Sequence, residues 1–519
     1  MLLLCYAIHT LLQVTLSLLR YRMNINETYI LNPDYSFKVD QDRIVMYSKK
    51  TVQDYSSSDW ISFVHPVQAC ILNKFIEPQN ISEHCDNLAA EYGITVRQAY
   101  DMILQYIENQ KPIFTEFEEH KIFFPKNVLI PIGFVKDEEL SARRESDIEI
   151  SLQHLDLTPD RMHSAPQSLL FMLTAKCATK CKYCYADKNT KYKTLSTEKI
   201  LEIIEEAHAL KMTHIDIIGG EFFCRKDWDI ILKRLVEYDM CPNFISTKYP
   251  LTEEMVKKLH NTKYNNVVQV SLDSLNPIVL EETIGVKLDY VDKIKKAISY
   301  LEKYKFKIQI NTILIKSTAI EAEIERLYNY IKSIKGLIYW EIRAPEKSIY
   351  STESYESVKA SREQLENIYK FIRTQLLSKA EFKIICSDEI LNEHLKDGKP
   401  TDEYFVGGTC GILQNRAFVL PDGKVSICEL MYWHPQFIIG DLKKQSIQEV
   451  WNSSKAKELF CMHRKMFRKQ SSCHNCKVLD FCNQKHRRCF VKIIRAYGEE
   501  NWDYPDPRCQ FAPEVSPQY

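Results

Sequence analysis

The sequence predicts an α/β protein built on a partial, TIM-like (β/α)6 barrel, with a winged-helix-like module in front and a cysteine-rich domain behind. Three observations lead there. Short apolar runs alternate with helical patterns six times between residues 168 and 377, and that alternation argues for a parallel sheet with outer helices. Ahead of them lie a candidate hairpin and three helical patterns. Behind them periodicity fades and cysteines gather.

The bulk numbers allow this plan. A chain of 519 residues can bury a large core and hold about two to four domains. Apolar residues are 45% and charged residues 27%, as in ordinary globular proteins. Lys+Arg and Asp+Glu both number 69, so no global charge draws the chain toward nucleic acid. Cysteine is the anomaly: of 17, eight lie from Cys410 to Cys509 and three between Cys177 and Cys184. A disulfide framework suits small secreted chains poor in core, which this is not. Clustered thiols in a large chain point to metal.

The elements follow in chain order. Residues 1–23 form an apolar leader, MLLLCYAIHTLLQVTLSLL, closed by Arg20-Tyr21-Arg22. It lacks a basic n-region and a small-residue cleavage site, so it does not read as a signal peptide. It has about the minimum length of a membrane span, but His9, Thr10, Gln13 and Thr15 weaken it to a poor anchor. Membrane attachment is not expected. Translation is expected to begin at Met23, where the sequence turns polar.

Residues 24–124 make the front module. YILNPDYSFKV and DRIVMYS, parted by a polar turn, suggest a hairpin. Helical patterns follow at His65–Phe75, at Ser82–Glu91 with Ser82 as its cap, and at Thr95–Asn109. The last places Val96, Ala99, Met102, Ile103, Tyr106 and Ile107 on one face. Residues 125–166 read as a linker able to pack on the barrel.

Residues 167–380 carry the barrel. Its expected strands are 168–174, 214–220, 243–248, 267–273, 307–315 and 337–343, each followed by a helix: 197–210, 226–238, 252–260, 289–304, 319–334 and 360–378. Active sites of such folds sit at the carboxyl ends of the strands. Residues 381–519 form the rear domain, in which low periodicity with clustered ligands implies that metal supplies much of the folding energy.

The first motif is KCATKCKYCYADK, directly after the first strand. Cys177, Cys181 and Cys184 offer three thiolates from one tight loop, which suits three irons of a [4Fe–4S] cube and leaves the fourth open. The rival is zinc, but structural zinc takes four ligands, commonly from paired knuckles. With Tyr183 between the last two cysteines, this loop resembles that of the radical S-adenosylmethionine (SAM) superfamily over roughly residues 168–345. The resemblance implies that the open iron chelates SAM and that one electron cleaves it to a 5′-deoxyadenosyl radical. Gly219-Gly220-Glu221 ends the second strand and resembles the family's GGE motif. Glycine lets backbone approach a ligand closely, and Glu221 is expected to accept from the methionine ammonium. Ser246 and Thr247 end the third strand, while Ser271 and Asp273 end the fourth and resemble the contacts near ribose and methionine. The family often keeps an arginine after that strand. Here EETIGVKLD has none, which leaves Lys287 or Arg343 as substitutes.

The rear cysteines read Cys410-x12-Gly423-x4-Cys428, then Cys473-x2-Cys476-x5-Cys482-x6-Cys489 and Cys509. They resemble the SPASM domain, with x6 where x3 is usual. The resemblance implies one auxiliary [4Fe–4S] cluster on Cys473, Cys476, Cys482 and Cys509, and a second on Cys410, Cys428 and Cys489 with one iron open to a substrate thiolate. Cys386 and Cys461 are available to close it and are not expected to. The rival is a pair of zinc knuckles. Cys5, Cys70, Cys85, Cys224 and Cys241 read as ordinary buried thiols.

The front module, through HPVQACILNKFI and ISEHCDNLAAEYGITVRQAYDMILQYIE, resembles the PqqD-like recognition element of peptide-maturation enzymes. That implies a leader peptide adding a strand at its sheet edge. The other reading is a nucleic-acid-binding winged helix, but residues 95–109 hold one Arg and no Lys. Together the resemblances imply a cytoplasmic radical SAM maturase, similar to sactisynthases and ranthipeptide synthases. Its expected cofactors are SAM and three [4Fe–4S] clusters. Its expected partners are a precursor peptide with a leader and an electron donor such as flavodoxin or ferredoxin. The expected product is a thioether joining a cysteine sulfur to carbon. Carbon–carbon cross-linking, sulfatase maturation and a non-catalytic zinc protein are the alternatives.

Overall fold

The computed structural model describes residues 27–48, 61–118, 120–136, 149–158, 161–187, 192–350, 352–387, 413–484 and 488–514. The expected leader and Cys410 lie outside them. The chain divides into two compact units, Met1–Ser164 and Ala165–Tyr519.

The first unit contains β1 (Thr28–Leu31), β2 (Tyr35–Asp40), β3 (Arg43–Ser48), β4 (Ile61–Val64), β5 (Gln79–Asn80), β6 (Ile113–Phe117), β7 (His120–Phe124) and β8 (Leu129–Pro131). The expected hairpin is β2–β3, paired from Tyr35↔Ser48 to Asp40↔Arg43, with β4 as third strand. The stretch YILNPDYSFKV does not run through as one strand. Asn32 breaks it: its side chain accepts from the Asp34 amide at 3.0 Å and its carbonyl from Tyr35 at 2.9 Å. Such an Asx turn sends β1 into a separate sheet between β5 and β8.

The three expected helices form, with different ends. Pro66–Asn73 starts on a proline, where the missing N–H costs nothing. Ile81–Tyr92 is capped by Asn80 rather than Ser82, because the Asn80 Oδ1 accepts from both the Ser82 and Glu83 amides. Val96–Leu104 opens on a reciprocal Thr95–Gln98 capping box and stops earlier than periodicity suggests. Beyond it, Glu108 adopts a left-handed φ of 47° and the Tyr106 carbonyl accepts from Leu129. Ala99, Ile103, Tyr106 and Ile107 enter the core, whereas Val96 is 48% exposed.

Every residue of β3 is buried. One charged pair fixes its start. Arg43 and Asp40 are fully buried and 3.0 Å apart. The Arg43 guanidinium also donates to the Thr158 carbonyl at 2.6 Å and to the Arg161 carbonyl, and lies 4.2 Å over the Phe63 ring. Asp40 accepts from the His163 and Ser164 amides at 2.8 and 2.6 Å. The end of the expected linker is thereby tied to the β2–β3 turn of this unit.

The second unit contains β9 (Ser168–Met172), β10 (His214–Ile218), β11 (Phe244–Thr247), β12 (Val267–Ser271), β13 (Lys307–Ile313), β14 (Leu337–Arg343), β15 (Lys383–Ser387), β16 (Arg416–Val419), β17 (Lys424–Ser426) and β18 (Ile438–Asp441). All six expected strands are present, and all six expected helices. The periodicity did not show the helix Pro277–Ile284, which Asn276 caps and Gly285 ends at φ 67°. The six strands do not share one hydrogen-bonded sheet. β11 to β15 form a parallel sheet, while β9 pairs β10 on one side and β16 on the other, also in parallel. The segment before β11 is joined to β10 by hydrogen bonds instead: Ile215 to the Met240 carbonyl at 3.2 Å, and Asn243 to Asp216 at 3.1 Å. Two strands from beyond residue 380, β15 and β16, complete the two sheets. β16 continues into an antiparallel meander with β17 and β18. The helices present apolar stripes to the sheets; Tyr290–Lys303, for example, buries Ile294, Ala297, Ile298 and Leu301. Among the described residues no helix is long and apolar enough to cross a membrane.

Truncating one partner of a buried ion pair strands the other in low dielectric. Arg43→Met is therefore expected to cost about 3–5 kcal/mol, read as a lower unfolding midpoint and faster amide exchange across 156–164. Burial pushes the Asp40 carboxyl up, but the two amides, Arg43 and Lys38 outweigh it and hold it below its ordinary 3.8. Its contribution is present above that value and is lost as pH falls through the lower, folded one. Acid unfolding followed in Asp40→Asn should lose this component of the pH dependence.

Candidate functional site

The loop after β9 is held by backbone on two sides. On one, the Gly220 amide donates to the Thr174 carbonyl at 3.0 Å and the Glu221 amide to the Lys176 carbonyl at 2.7 Å. On the other, Lys180 and Lys182 donate to the Ile284 and Thr283 carbonyls at 2.7 and 2.9 Å. The fit against β10 explains the glycines. A Cβ on Gly220 would lie 2.4 Å from the Lys176 carbonyl oxygen, and one on Gly219, at φ 101°, would lie 2.1 Å from Met172 Cγ. Within the loop, Thr179 Oγ1 stands 3.5 Å from Cys177 Sγ and 3.3 Å from Cys181 Sγ. Cys177 is exposed, Cys184 partly so, and Cys181 is buried. Burial pushes the Cys181 thiol up against the pull of the Lys248 ammonium.

Glu221 does not face open space. Its Oε1 accepts from the Thr247 hydroxyl at 3.0 Å and the Phe223 amide at 3.4 Å. Its Oε2 accepts from the Lys248 and Tyr249 amides at 3.0 and 3.2 Å. Burial nonetheless pushes it up to about 7. The structure thus uses Glu221 to fasten the end of β11 to the end of β10.

Tyr183 and Asp273 meet. The Tyr183 hydroxyl donates to Asp273 Oδ2, and the Ile313 amide donates to Asp273 Oδ1 at 3.0 Å. Lys248 joins them: its Nζ is 2.8 Å from Asp273 Oδ2 and 5.6 Å from the Tyr183 ring centroid. Burial would lower this ammonium, but Asp273 and the Cys181 and Cys177 sulfurs outweigh it and raise its pKa. Lys248 is the residue that motif reading missed. The expected substitutes, Lys287 and Arg343, are both exposed. A lysine directly after the Ser246-Thr247 strand end was its one sequence signal. Below this layer, a polar row crosses four strands: Gln269 donates to Ser246 at 2.8 Å, and Gln309 donates to Gln269 at 2.9 Å and to Glu341 at 3.1 Å. Ser271, half-buried, ends β12 beside it.

Cys473, Cys476, Cys482 and Cys509 act electrostatically on one another. Burial and the other three thiols push Cys509 up to about 11, and burial raises Cys482 against the pull of Arg488. They lie by an apolar cluster of Met462, Phe467, Leu479, Phe490 and Trp502. Cys489 lies directly before the helix Phe490–Tyr497, with its amide on Asp506 at 3.0 Å. Cys428 follows β17, its sulfur accepting from the Leu430 amide at 3.4 Å. Cys386 lies on β15, and Cys461 is exposed at the end of the helix Ser454–Phe460. Among the described residues no three His, Cys, Asp or Glu side chains close in as ligands of one ion do. The thiolates of a cube rest on separate irons. An all-sulfur donor set in apolar surroundings fits iron–sulfur ligation.

Two stretches of the chain match known families. Residues 171–331 match the family model of the Radical SAM superfamily, and residues 410–477 that of SPASM, an iron–sulfur cluster-binding domain. A PqqA peptide cyclase of Methylocella silvestris is 21% identical over 354 residues, 67% of this chain and 88% of that protein. The mycofactocin maturase MftC of Mycolicibacterium smegmatis is 24% identical over 360 residues, 67% and 84% of the two chains. A probable GTP 3′,8-cyclase of Methanosarcina mazei is 26% identical over 279 residues, 51% and 78%. In fold, the chain is similar to Streptococcus suis SuiB bound to its precursor peptide SuiA, with a TM-score of 0.61 and 16% identity, covering 93% of this chain and 100% of that one. A radical SAM domain joined to a SPASM iron–sulfur cluster-binding domain is therefore what this chain carries.

Proposed function

We propose that the protein modifies a ribosomally made precursor peptide and joins a cysteine sulfur to carbon. The peptide substrate is supported by the relatives, named a peptide cyclase and a maturase, and by the fold shared with a protein bound to its precursor peptide. The observation that carries the thioether reading is the place of Tyr432, buried in one apolar cluster with Cys184 of the radical loop, one residue after Met431, whose amide donates to the Cys428 carbonyl at 3.1 Å. A rear cysteine outside the four-thiol group is thus tied by one short turn to a ring packed against the radical loop.

In this reading Cys177, Cys181 and Cys184 hold the cluster that binds SAM, and Cys410, Cys428 and Cys489 hold an auxiliary cluster with an open position for a substrate thiolate. When bound, cluster and SAM together supply a 5′-deoxyadenosyl radical. The chain's own residues orient and enclose. Thr179 fixes two of the loop thiols, Glu221 locks the strand ends, and Lys248, paired with Asp273 at 2.8 Å, would offer its remaining donors to the methionine carboxylate of SAM. Tyr183 and Ser271 line the same mouth. The front module, read as a PqqD-like element, would deliver the peptide by strand addition at its sheet edge. A small one-electron protein is the expected reductant, in a reducing compartment.

Three clusters predict about twelve irons per chain; zinc in their place would sink the reading. Cys177→Ala should abolish 5′-deoxyadenosine release, whereas Cys428→Ala should keep part of it and yield no cross-linked peptide, both followed by chromatography and mass spectrometry. Lys248→Met should raise the KM for SAM about tenfold, a loss of about 1.4 kcal/mol in binding, with less effect on kcat. A product formed equally well from a cysteine-free peptide would leave peptide modification standing and defeat the thioether.

A further inference from the structure

The geometry points to Arg488 as the residue that raises the reduction potential of the four-thiol centre and so makes it the electron acceptor of the reaction. Arg488 Nη2 donates to Cys473 Sγ at 3.4 Å, and Nη1 to Met462 Sδ at 3.7 Å. The guanidinium lies 4.6 Å over the Phe467 ring, so it is held against the apolar wall that surrounds the thiols. Its neighbours are spent elsewhere. Arg468 is paired with Asp503, Arg508 with Asp506, and Arg464 donates to the His474 and Cys476 carbonyls. Among the described residues Arg488 has no carboxylate in ion-pair reach.

The chemistry follows from charge. A cube on four thiolates is anionic and gains one more negative charge on reduction. A nearby cation and an N–H···S bond favour the reduced form, which raises the potential. Thioether formation leaves an electron to place. The C–H hydrogen atom goes to the deoxyadenosyl radical, the thiol loses a proton, the C–S bond forms, and one electron remains. The four-thiol centre takes it. This inference rests on Cys473, Cys476, Cys482 and Cys509 being the ligands of one cluster.

The test is an EPR-monitored redox titration of the reconstituted full chain and of Arg488→Gln. One midpoint should fall about tenfold in reduced-to-oxidised ratio, 59 mV for one electron, while the others stay fixed. 5′-Deoxyadenosine release should be unchanged, and cross-linked peptide per deoxyadenosine should drop. Arg488→Lys keeps the charge and should move the same midpoint by less than Gln does. Intact iron with an unmoved midpoint in both variants overturns the role of Arg488 alone. If the Gln variant loses iron, Arg488→Met, which removes the charge and keeps an apolar stem against Phe467, is titrated in its place, and an unmoved midpoint there overturns it. A Cys509→Ala variant that loses no iron overturns the ligand assignment along with it.

Discussion

Four backbone hydrogen bonds on residues 174–182 are what the rest of the second unit depends on. Three thiols have to project from a segment that is neither helix nor strand, so the segment cannot satisfy its own amides and carbonyls. β10 and the helix Pro277–Ile284 satisfy them from opposite sides. That arrangement requires two adjacent glycines at the end of β10, because a side chain on Gly220 would occupy the loop carbonyls' space and one on Gly219, at φ 101°, that of the Met172 side chain. It also requires the end of β11 to stay beside β10 although the two strands are not paired. Glu221 meets this need, with four donors drawn from one short stretch and its own turn.

A buried carboxylate and a half-buried ammonium are costly, and this site keeps both. Asp273 and Lys248 pair at 2.8 Å, and the Tyr183 hydroxyl and the Ile313 amide also donate to Asp273. Beneath them, glutamines replace the aliphatic side chains that usually fill such interiors. Each amide in the row finds a partner on the neighbouring strand. An interior of this kind keeps its shape while leaving polar contacts available to a polar ligand.

Much of this was legible in the sequence. Six strands and their helices were, because each apolar run is short and each helix repeats its stripe. The cysteine spacings and Gly219-Gly220-Glu221 were, because the chemistry allows few other residues there. Other features were not. β15 and β16 lie beyond the last clear helix, in a region whose cysteines drew attention away from two short apolar runs. Lys248 escaped because its place here comes from its pairing with Asp273, which lies two residues past the end of another strand. Asn80 took the cap expected of Ser82, since a cap is decided by one turn of geometry that periodicity does not resolve. The glutamines of VVQVSLD and KIQINTI were visible as polar residues inside apolar strands, but only the register of β12 against β13 shows that they meet.

The parallel pairing of β9 with β16 has a consequence for the chain's biogenesis. During synthesis the strand that bears the cluster loop leaves the ribosome long before the strand that flanks it. Until the latter arrives, one edge of β9 stays open, and open edges invite wrong partners. The nascent protein therefore spends much of its production time as an incomplete sheet with reduced thiols already exposed. The sheet on that side of β9 is complete only once Val419 has been made.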